Sequence, residues 1–160
     1  MPVPGAQFIT LPPNPGRRSP KRGELRMHPM ADHITSAGVI IIEDDGRIYV
    51  RKVTNAFAGY KWSFAKGRVE AGVSVEQTAL NELREEMGLE AKLHRVLGDY
   101  KGQTGITRFF LGEATGGDTS SHGSETEEVR LVSRVEARGL LNVARDRQVL
   151  DDAYDLRSSS

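Results

Sequence analysis

From Ile34 onward, apolar residues fall in short runs broken by turn residues, the pattern of strands joined by tight connections. Residues 34–43 are rich in β-branched side chains and end at Asp44-Asp45-Gly46, a hairpin signal, with 47–53 as the returning strand. Residues 55–60 read as a loop, and 61–65 as a short strand with Trp62 and Phe64 on one face. Further strands are predicted over 92–101, 106–113 and 129–133, and a mobile loop over the Gly-, Ser- and Thr-rich stretch 112–124. Helical spacing marks 74–87, 135–141 and 145–156, the last through Val149, Leu150, Ala153 and Tyr154. Strands around a central helix, with helices at the end, predict an α/β or α+β domain whose mixed β-sheet is covered on both faces.

The central helix is the sharpest signal. Ser74 followed by Gln77 forms a capping box, and Gly88 stands where a left-handed C-terminal cap is wanted. Val75, Ala79, Leu80, Leu83 and Met87 form the expected buried stripe. Beside it lie Glu82, Glu85 and Glu86, within a ~100° arc of the helix. Like charges at these spacings cost a helix roughly 0.2–0.5 kcal/mol per pair, and the negative end of the helix dipole adds to the penalty. The cluster is either a solvated acidic face or a site for a hard divalent cation such as Mg2+ or Mn2+.

Composition changes the picture at one end. All seven prolines lie within the first 29 residues. The first 30 residues hold five basic side chains against one acid, which leaves 17 basic and 21 acidic residues in the remainder. Overall neutrality thus conceals a basic, proline-rich arm joined to a mildly acidic domain. Residues 1–30 bury too little apolar surface to offset their ordering entropy and are expected to be disordered, with 31–160 as the folded domain. The arm reads as a linker or as a segment for phosphate or acidic surfaces. The absence of cysteine excludes a disulfide framework, a Cys-ligated zinc, an iron–sulfur cluster and a thiol nucleophile. The longest apolar run, residues 39–42, is far short of the ~20 residues a membrane span needs. No signal-peptide core is present, so the cytoplasm is the expected compartment.

The residues flanking the acidic helix extend its pattern. Ahead of it run Trp62-Ser63-Phe64-Ala65-Lys66-Gly67-Arg68-Val69-Glu70-Ala71-Gly72, and behind it Gly88-Leu89. Together they resemble the Nudix box of the Nudix hydrolases, G-x5-E-x7-R-E-U-x-E-E-x-G-U with U aliphatic. Gly67 takes the first glycine, and Glu82-Leu83-Arg84-Glu85-Glu86-Met87-Gly88-Leu89 match the end of the pattern in register. The resemblance spans roughly residues 34–156 and implies a Nudix-type α/β/α sandwich with a mixed β-sheet. Two positions depart from it. Val73 stands at the first glutamate, and Asn81 at the arginine that pairs with the box glutamates in the family. Without that cation the carboxylates are expected to repel more and to hold a proton more readily.

The resemblance implies an enzyme acting on phosphorus-containing acid anhydrides. It would cleave a diphosphate bond in a nucleoside diphosphate linked to another group, by attack of water on phosphorus. Mg2+ is the implied cofactor, with Mn2+ as a substitute, and Glu82, Glu85, Glu86 and the Lys66 carbonyl are the implied ligands. Glu85 and Glu125 are the implied catalytic groups, with Glu127 and Glu128 as rivals to Glu125. Arg51, Lys52, Lys66 and Arg68 are candidates to meet phosphates. Tyr60, Phe109 and Phe110 are candidates to stack on a base, although core packing is the commoner fate of the two Phe. Trp62 is assigned to the core, and His33, His94 and His122 show no ligand spacing.

The run from Trp62 to Gly67 is similar to one in diadenosine polyphosphate and RNA 5′-pyrophosphate hydrolases. Nucleoside triphosphates, dinucleotide polyphosphates and RNA 5′-pyrophosphate ends are therefore the implied substrate types. The implied partner is a small nucleotide-type molecule, with nucleic acid only as a 5′-phosphorylated RNA end and no membrane. A homodimer is compatible with this. The lack of cysteine argues against an isopentenyl-diphosphate isomerase of the same fold. The alternative is a non-catalytic nucleotide-binding or regulatory module on a decayed site, which Val73 and Asn81 keep open.

Overall fold

The computed structural model describes residues 33–55 and 61–159. The arm of residues 1–30, the candidate Tyr60 and most of the loop 55–60 lie outside the described residues. The elements are β1 (Ile34–Ile41), β2 (Ile48–Val53), β3 (Trp62–Ser63), β4 (Ala65–Arg68), α1 (Val75–Met87), β5 (Leu89–Lys101), β6 (Ile106–Gly117), a 3-10 turn (Thr119–Ser121), β7 (Thr126–Val132), α2 (Arg134–Leu140) and α3 (Ala144–Ser158). The strands form two sheets, one ordered β4-β1-β6-β5 and one ordered β3-β2-β7. The β1–β6 pairing is parallel and the other pairings are antiparallel, which makes the larger sheet mixed. Among the described residues no helix is long and apolar enough to cross a membrane.

The expected hairpin of β1 and β2 does not form as a ladder. The turn is present, closed by Gly46 N–H to Glu43 O and Glu43 N–H to Arg47 O, each 2.8 Å. Only one bridge, Ile42 to Ile48, follows it. β1 is flanked on both sides by β4 and β6, so it has no free edge to offer β2. β2 pairs instead with β3 and β7. The loop expected over 112–124 is also shorter than its composition suggests. β6 runs on to Gly117, hydrogen-bonded to the start of β5 at Leu89. Backbone pairing needs no side chain, so glycine-rich chain can extend a ladder whose outer face is solvated.

Apolar side chains gather in two clusters on opposite sides of the strands. One joins Ile40, Ile48, Val50, Trp62, Phe64 and Phe109 to Leu141, Val149, Leu150 and Ala153 of the C-terminal helices and their link. The other joins Ala37, Val39, Ile41, Ala65 and Phe110 to Ala79, Leu83 and Met87 of α1. The adjacent Phe109 and Phe110 therefore enter opposite clusters, as strand alternation requires. They are 0% and 3% exposed, so neither is available to stack on a base, and Trp62 lies in the core as expected. The Phe109 ring meets Phe64 and Tyr100 edge-on, with centroids 6.2 and 5.9 Å apart. Phe109→Ala is expected to cost ~3–5 kcal/mol of unfolding free energy in a urea titration; a cost below 1 kcal/mol would contradict this packing.

α1 has the predicted ends. Ser74 Oγ accepts from Gln77 N–H at 3.0 Å. Gly88 has φ 72° and donates to Arg84 O at 2.9 Å. A Cβ at Gly88 would collide with the Asp118 carbonyl, so glycine is required on both counts. The buried face departs from the expected stripe. Ala79, Leu83 and Met87 are buried, Val75 and Leu80 only half-buried, and Thr78 and Glu86 take the vacated places. A buried glutamate on this helix needs partners, and those partners define the candidate site.

Candidate active site

Along β2, Ile48 and Val50 enter the core cluster on one face, and Arg51 turns to the other. Arg51 is only 5% exposed. Nε donates to Thr126 Oγ1 at 2.8 Å and Nη2 to the Glu125 carbonyl at 2.9 Å. Nη1 stands 3.5 Å from Glu86 Oε1. The same Glu86 oxygen accepts the backbone N–H of Lys66 at 3.0 Å. Glu86 thus ties the last turn of α1 to β4 and, through Arg51, to the loop that feeds β7. Gly67 lies against Glu82 so closely that a Cβ there would overlap the carboxylate. That contact accounts for a glycine fifteen residues ahead of Glu82.

These groups border a cavity of about 470 Å3 lined by Arg51, Lys66, Glu86 and Glu125, with Ser63 and Thr54. Burial raises the Glu86 carboxyl to about 7, against the pull of Arg51 and of the Lys66 N–H, while the charge of Glu82 adds to the rise. Burial also raises Glu82, helped by the charges of Glu85 and Glu125 and opposed by its hydrogen bond to Glu86. Lys66 is lowered, by burial first and by the nearby Arg145 second. Both carboxyls are thus raised by burial first, with the charge of neighbouring glutamates adding to the rise, and Glu86 reaches about 7.

Of the residues singled out in the sequence, Arg51, Lys66, Glu86 and Glu125 meet at this cavity, with Glu82 beside Gly67. Glu85 is exposed one residue ahead of Glu86. Glu127 is paired with Lys52 at 3.1 Å and Glu128 with Arg130 at 2.8 Å, which leaves Glu125 as the carboxylate of that loop lining the cavity. Lys52 follows Arg51 on the strand and so takes the opposite face, and Arg68 is exposed at the end of β4; neither lines the cavity. Asn81 accepts from Gln77 Nε2 at 2.9 Å and from Arg84 Nη1 at 3.4 Å, and Arg84 in turn clasps Glu90. The guanidinium that reaches Glu86 comes from Arg51, outside the helix.

A family model for the NUDIX domain matches residues 32–153. The chain belongs to the NUDIX family. It is 32% identical over 154 residues to the MutT4 protein of Mycobacterium tuberculosis, covering 87% of this chain and 61% of that one. It is 34% identical over 62 residues to an RNA pyrophosphohydrolase of Caulobacter vibrioides, covering 39% of this chain and 35% of the other. The chain thus spans less than two thirds of the length of these relatives. Among solved structures, its fold is similar to a NUDIX hydrolase from Nitrosomonas europaea, with TM-score 0.66, 18% identity, and 77% and 88% of the two chains covered. It is also similar to an Ap4A hydrolase from C. elegans, with TM-score 0.65, 15% identity, and 79% and 99% covered.

Nudix hydrolases generally use divalent cations. Among the described residues no three acidic, His or Cys side chains converge into a ready-made cage. Mg2+ does not demand one. It keeps several waters and binds through one or two carboxylates together with substrate phosphates. The hard carboxylate oxygens of Glu82 and Glu86, side by side on one helix, fit such an ion.

A buried acid that the sequence did not single out lies beside the cavity residue Ser63, namely Asp146. It is 0% exposed, accepts from Ser63 Oγ at 2.9 Å and lies 3.4 Å from Arg145 Nη2. The signal was present, because Asp146 falls on the stripe of Val149, Leu150, Ala153 and Tyr154, where an acid is out of place without a partner.

Proposed function

We propose that this chain is a Mg2+-dependent hydrolase that cleaves a diphosphate bond in a nucleoside diphosphate linked to another group. Nucleoside triphosphates, dinucleotide polyphosphates and RNA 5′-pyrophosphate ends are its substrate types. The observation that carries the proposal is the stapling of buried Glu86 between the β4 backbone and Arg51, beside Glu82 and facing Glu125 across one cavity. A fold gains little from burying the Glu86 carboxyl beside a second glutamate, whereas a cation-assisted site needs such a pair. The names of the relatives point the same way.

When bound, the cation neutralises phosphate charge and makes an attacking water more acidic. Glu82 and Glu86 would hold it from one helix, together with Glu85 and the Lys66 carbonyl. Arg51 fixes Glu86 and the Glu125 carbonyl by direct contact, and so sets the spacing of the two carboxylates. Glu125, on the loop side of the cavity, takes the proton of the attacking water, with Glu85 as the second acid–base group. Lys66 offers positive charge to the phosphates at the cavity floor.

Phosphate release should be measured from a panel of nucleoside triphosphates, dinucleotide polyphosphates, nucleotide sugars and 5′-triphosphorylated RNA. Turnover of at least one class is expected with Mg2+, falling to background in excess EDTA and returning on adding Mg2+ back. Turnover that survives EDTA would overturn the cation dependence. Tight nucleotide binding with no turnover of any class would favour a binding module instead.

A further inference from the structure

Thr54 is the first residue after β2, and it borders the carboxylate-lined cavity. It is exposed and adds little to the core. Its N–H donates to the Glu125 carbonyl at 3.0 Å and its Oγ1 to the Ser124 carbonyl at 2.7 Å. One residue thus engages two consecutive carbonyls of the loop that leads into β7. Arg51 Nη2 donates to the same Glu125 carbonyl at 2.9 Å, which occupies the second lone pair of that oxygen.

These bonds have a geometric consequence. A peptide unit is planar, so the soft backbone rotations at Glu125 are its own φ and ψ. The Ser124 carbonyl belongs to the peptide plane ahead of the Glu125 Cα, and the Glu125 carbonyl to the plane after it. Holding both planes fixes the direction in which the Cα–Cβ bond leaves the chain. Glu125 is exposed where it borders the cavity, so its aim depends on the backbone more than on packing. That aim brings its charge near enough to raise the Glu82 carboxyl.

The other side of the loop is tied to α1. The last carbonyls of a helix have no partner within it. Here Gly123 N–H donates to Glu85 O at 2.7 Å and Asp118 N–H to Gly88 O at 2.9 Å. A Cβ at Gly123 would come within 3.2 Å of the Glu85 carbonyl, so the approach is close. The loop is therefore gripped between the helix that bears Glu82 and Glu86 and the end of β2. The helix holds it at Gly123, and the β2 side, through Arg51 and Thr54, reaches Ser124 and Glu125.

We propose that Thr54 is a positioning residue that aims the Glu125 carboxylate into the cavity by holding the peptide planes on either side of its Cα. The inference rests on the hydrolase reading above, in which Glu125 takes the proton of the attacking water, and it adds the residue that orients that group. The one hydroxyl proton of Thr54 is committed to the Ser124 carbonyl, so Thr54 acts through Glu125 and not as a donor to substrate.

The variants are Thr54→Val, which keeps the branched shape and loses the donor, and Thr54→Ser, which keeps the donor. The substrate is whichever of the panel turns over fastest. Thr54→Val is expected to lower kcat about five- to fiftyfold, short of the ~100-fold that a 1 Å misplacement costs, with KM within about twofold. Thr54→Ser should recover most of the loss. In a Glu125→Gln background Thr54→Val should cost nothing further, because the group it aims is gone. An equal loss in that background, or a raised KM with kcat kept, would overturn the proposal and make Thr54 a direct substrate contact. Unchanged kcat and KM with a lowered Tm would also overturn it, leaving a tie that serves folding alone.

A second arm follows amide hydrogen exchange by mass spectrometry over residues 119–127 and needs no substrate. Exchange there is expected to rise at least about fivefold in Thr54→Val and to stay near native in Thr54→Ser, with α1 unchanged. Unchanged exchange in Thr54→Val would overturn the clamp. If the unmodified protein turns over nothing in the panel, the hydrolase reading falls, and this arm alone decides whether Thr54 holds the loop.

Discussion

Glu86→Gln is expected to lower kcat by at least ~100-fold, the upper end of what lost metal-site groups cost, while raising Tm in metal-free buffer at pH 8. The two effects have one cause. In the folded chain the Glu86 carboxyl is raised to about 7 from its ordinary 4.5, chiefly by burial. Between those values the folded state binds more protons than the unfolded state, so metal-free stability falls as pH rises through that window. Above pH 7 the buried group must ionise and the full cost is present.

Glutamine still accepts the Lys66 N–H but carries no charge, so the variant escapes the cost. A gain of the order of 1–3 kcal/mol, less what the Arg51 contact loses, corresponds to a rise of ~2–8 °C. The difference should shrink toward zero at pH 5, where the native carboxyl is protonated. In excess Mg2+ the order should reverse, because only the native protein gains binding free energy. Thermal melts at pH 5 and pH 8, with EDTA and with Mg2+, read all four cases. A variant less stable than the native protein at pH 8 in EDTA would show that Glu86 serves folding. Full turnover by the variant would remove its catalytic assignment.

What the sequence made legible was what depends on neighbours along the chain. The ends of α1 follow from Ser74, Gln77 and Gly88, each acting within four residues. The box glycine and the three glutamates likewise fix which helix bears the acids. Glu86 stands three residues after Leu83 and seven after Ala79, on the buried face of α1. What is not local is its partners, since Arg51 and the Lys66 N–H converge on it from two strands.

The failed hairpin has the same origin. Turn chemistry at Asp44-Asp45-Gly46 sets the reversal, but strand partners are set by which edges remain open. Along the chain Glu125, Glu127 and Glu128 look alike; in space Lys52 pairs with Glu127 and Arg130 with Glu128, while Glu125 lines the cavity. Asn81 looked like an electrostatic deficit when read along the box. In space a guanidinium from β2 meets the cluster, and Asn81 binds its own helix neighbours.

That substitution of source gives the second large effect. Arg51→Met keeps much of the stem's volume but removes the fork that joins Glu86, Thr126 and the Glu125 carbonyl. Breaking a buried pair by removing one partner costs ~3–5 kcal/mol when the other must stay charged. Here Glu86 has an escape, because it can take up a proton. The loss should therefore be smaller at pH 6 than at pH 8, and urea titrations in EDTA at the two values read the difference. The Arg51 charge also holds the Glu86 carboxyl down against burial. Without it that carboxyl titrates still higher, and the acid limb of kcat/KM should move to higher pH. Arg51→Lys should fall between, since an ammonium keeps the charge but cannot span the three partners with a rigid fork. A stability loss equal at pH 6 and pH 8, with an unmoved acid limb, would mean that Arg51 acts through its bonds to Thr126 and Glu125 alone. A shifted acid limb in Arg51→Met, partly restored in Arg51→Lys, would identify Arg51 as the cation that the box itself lacks.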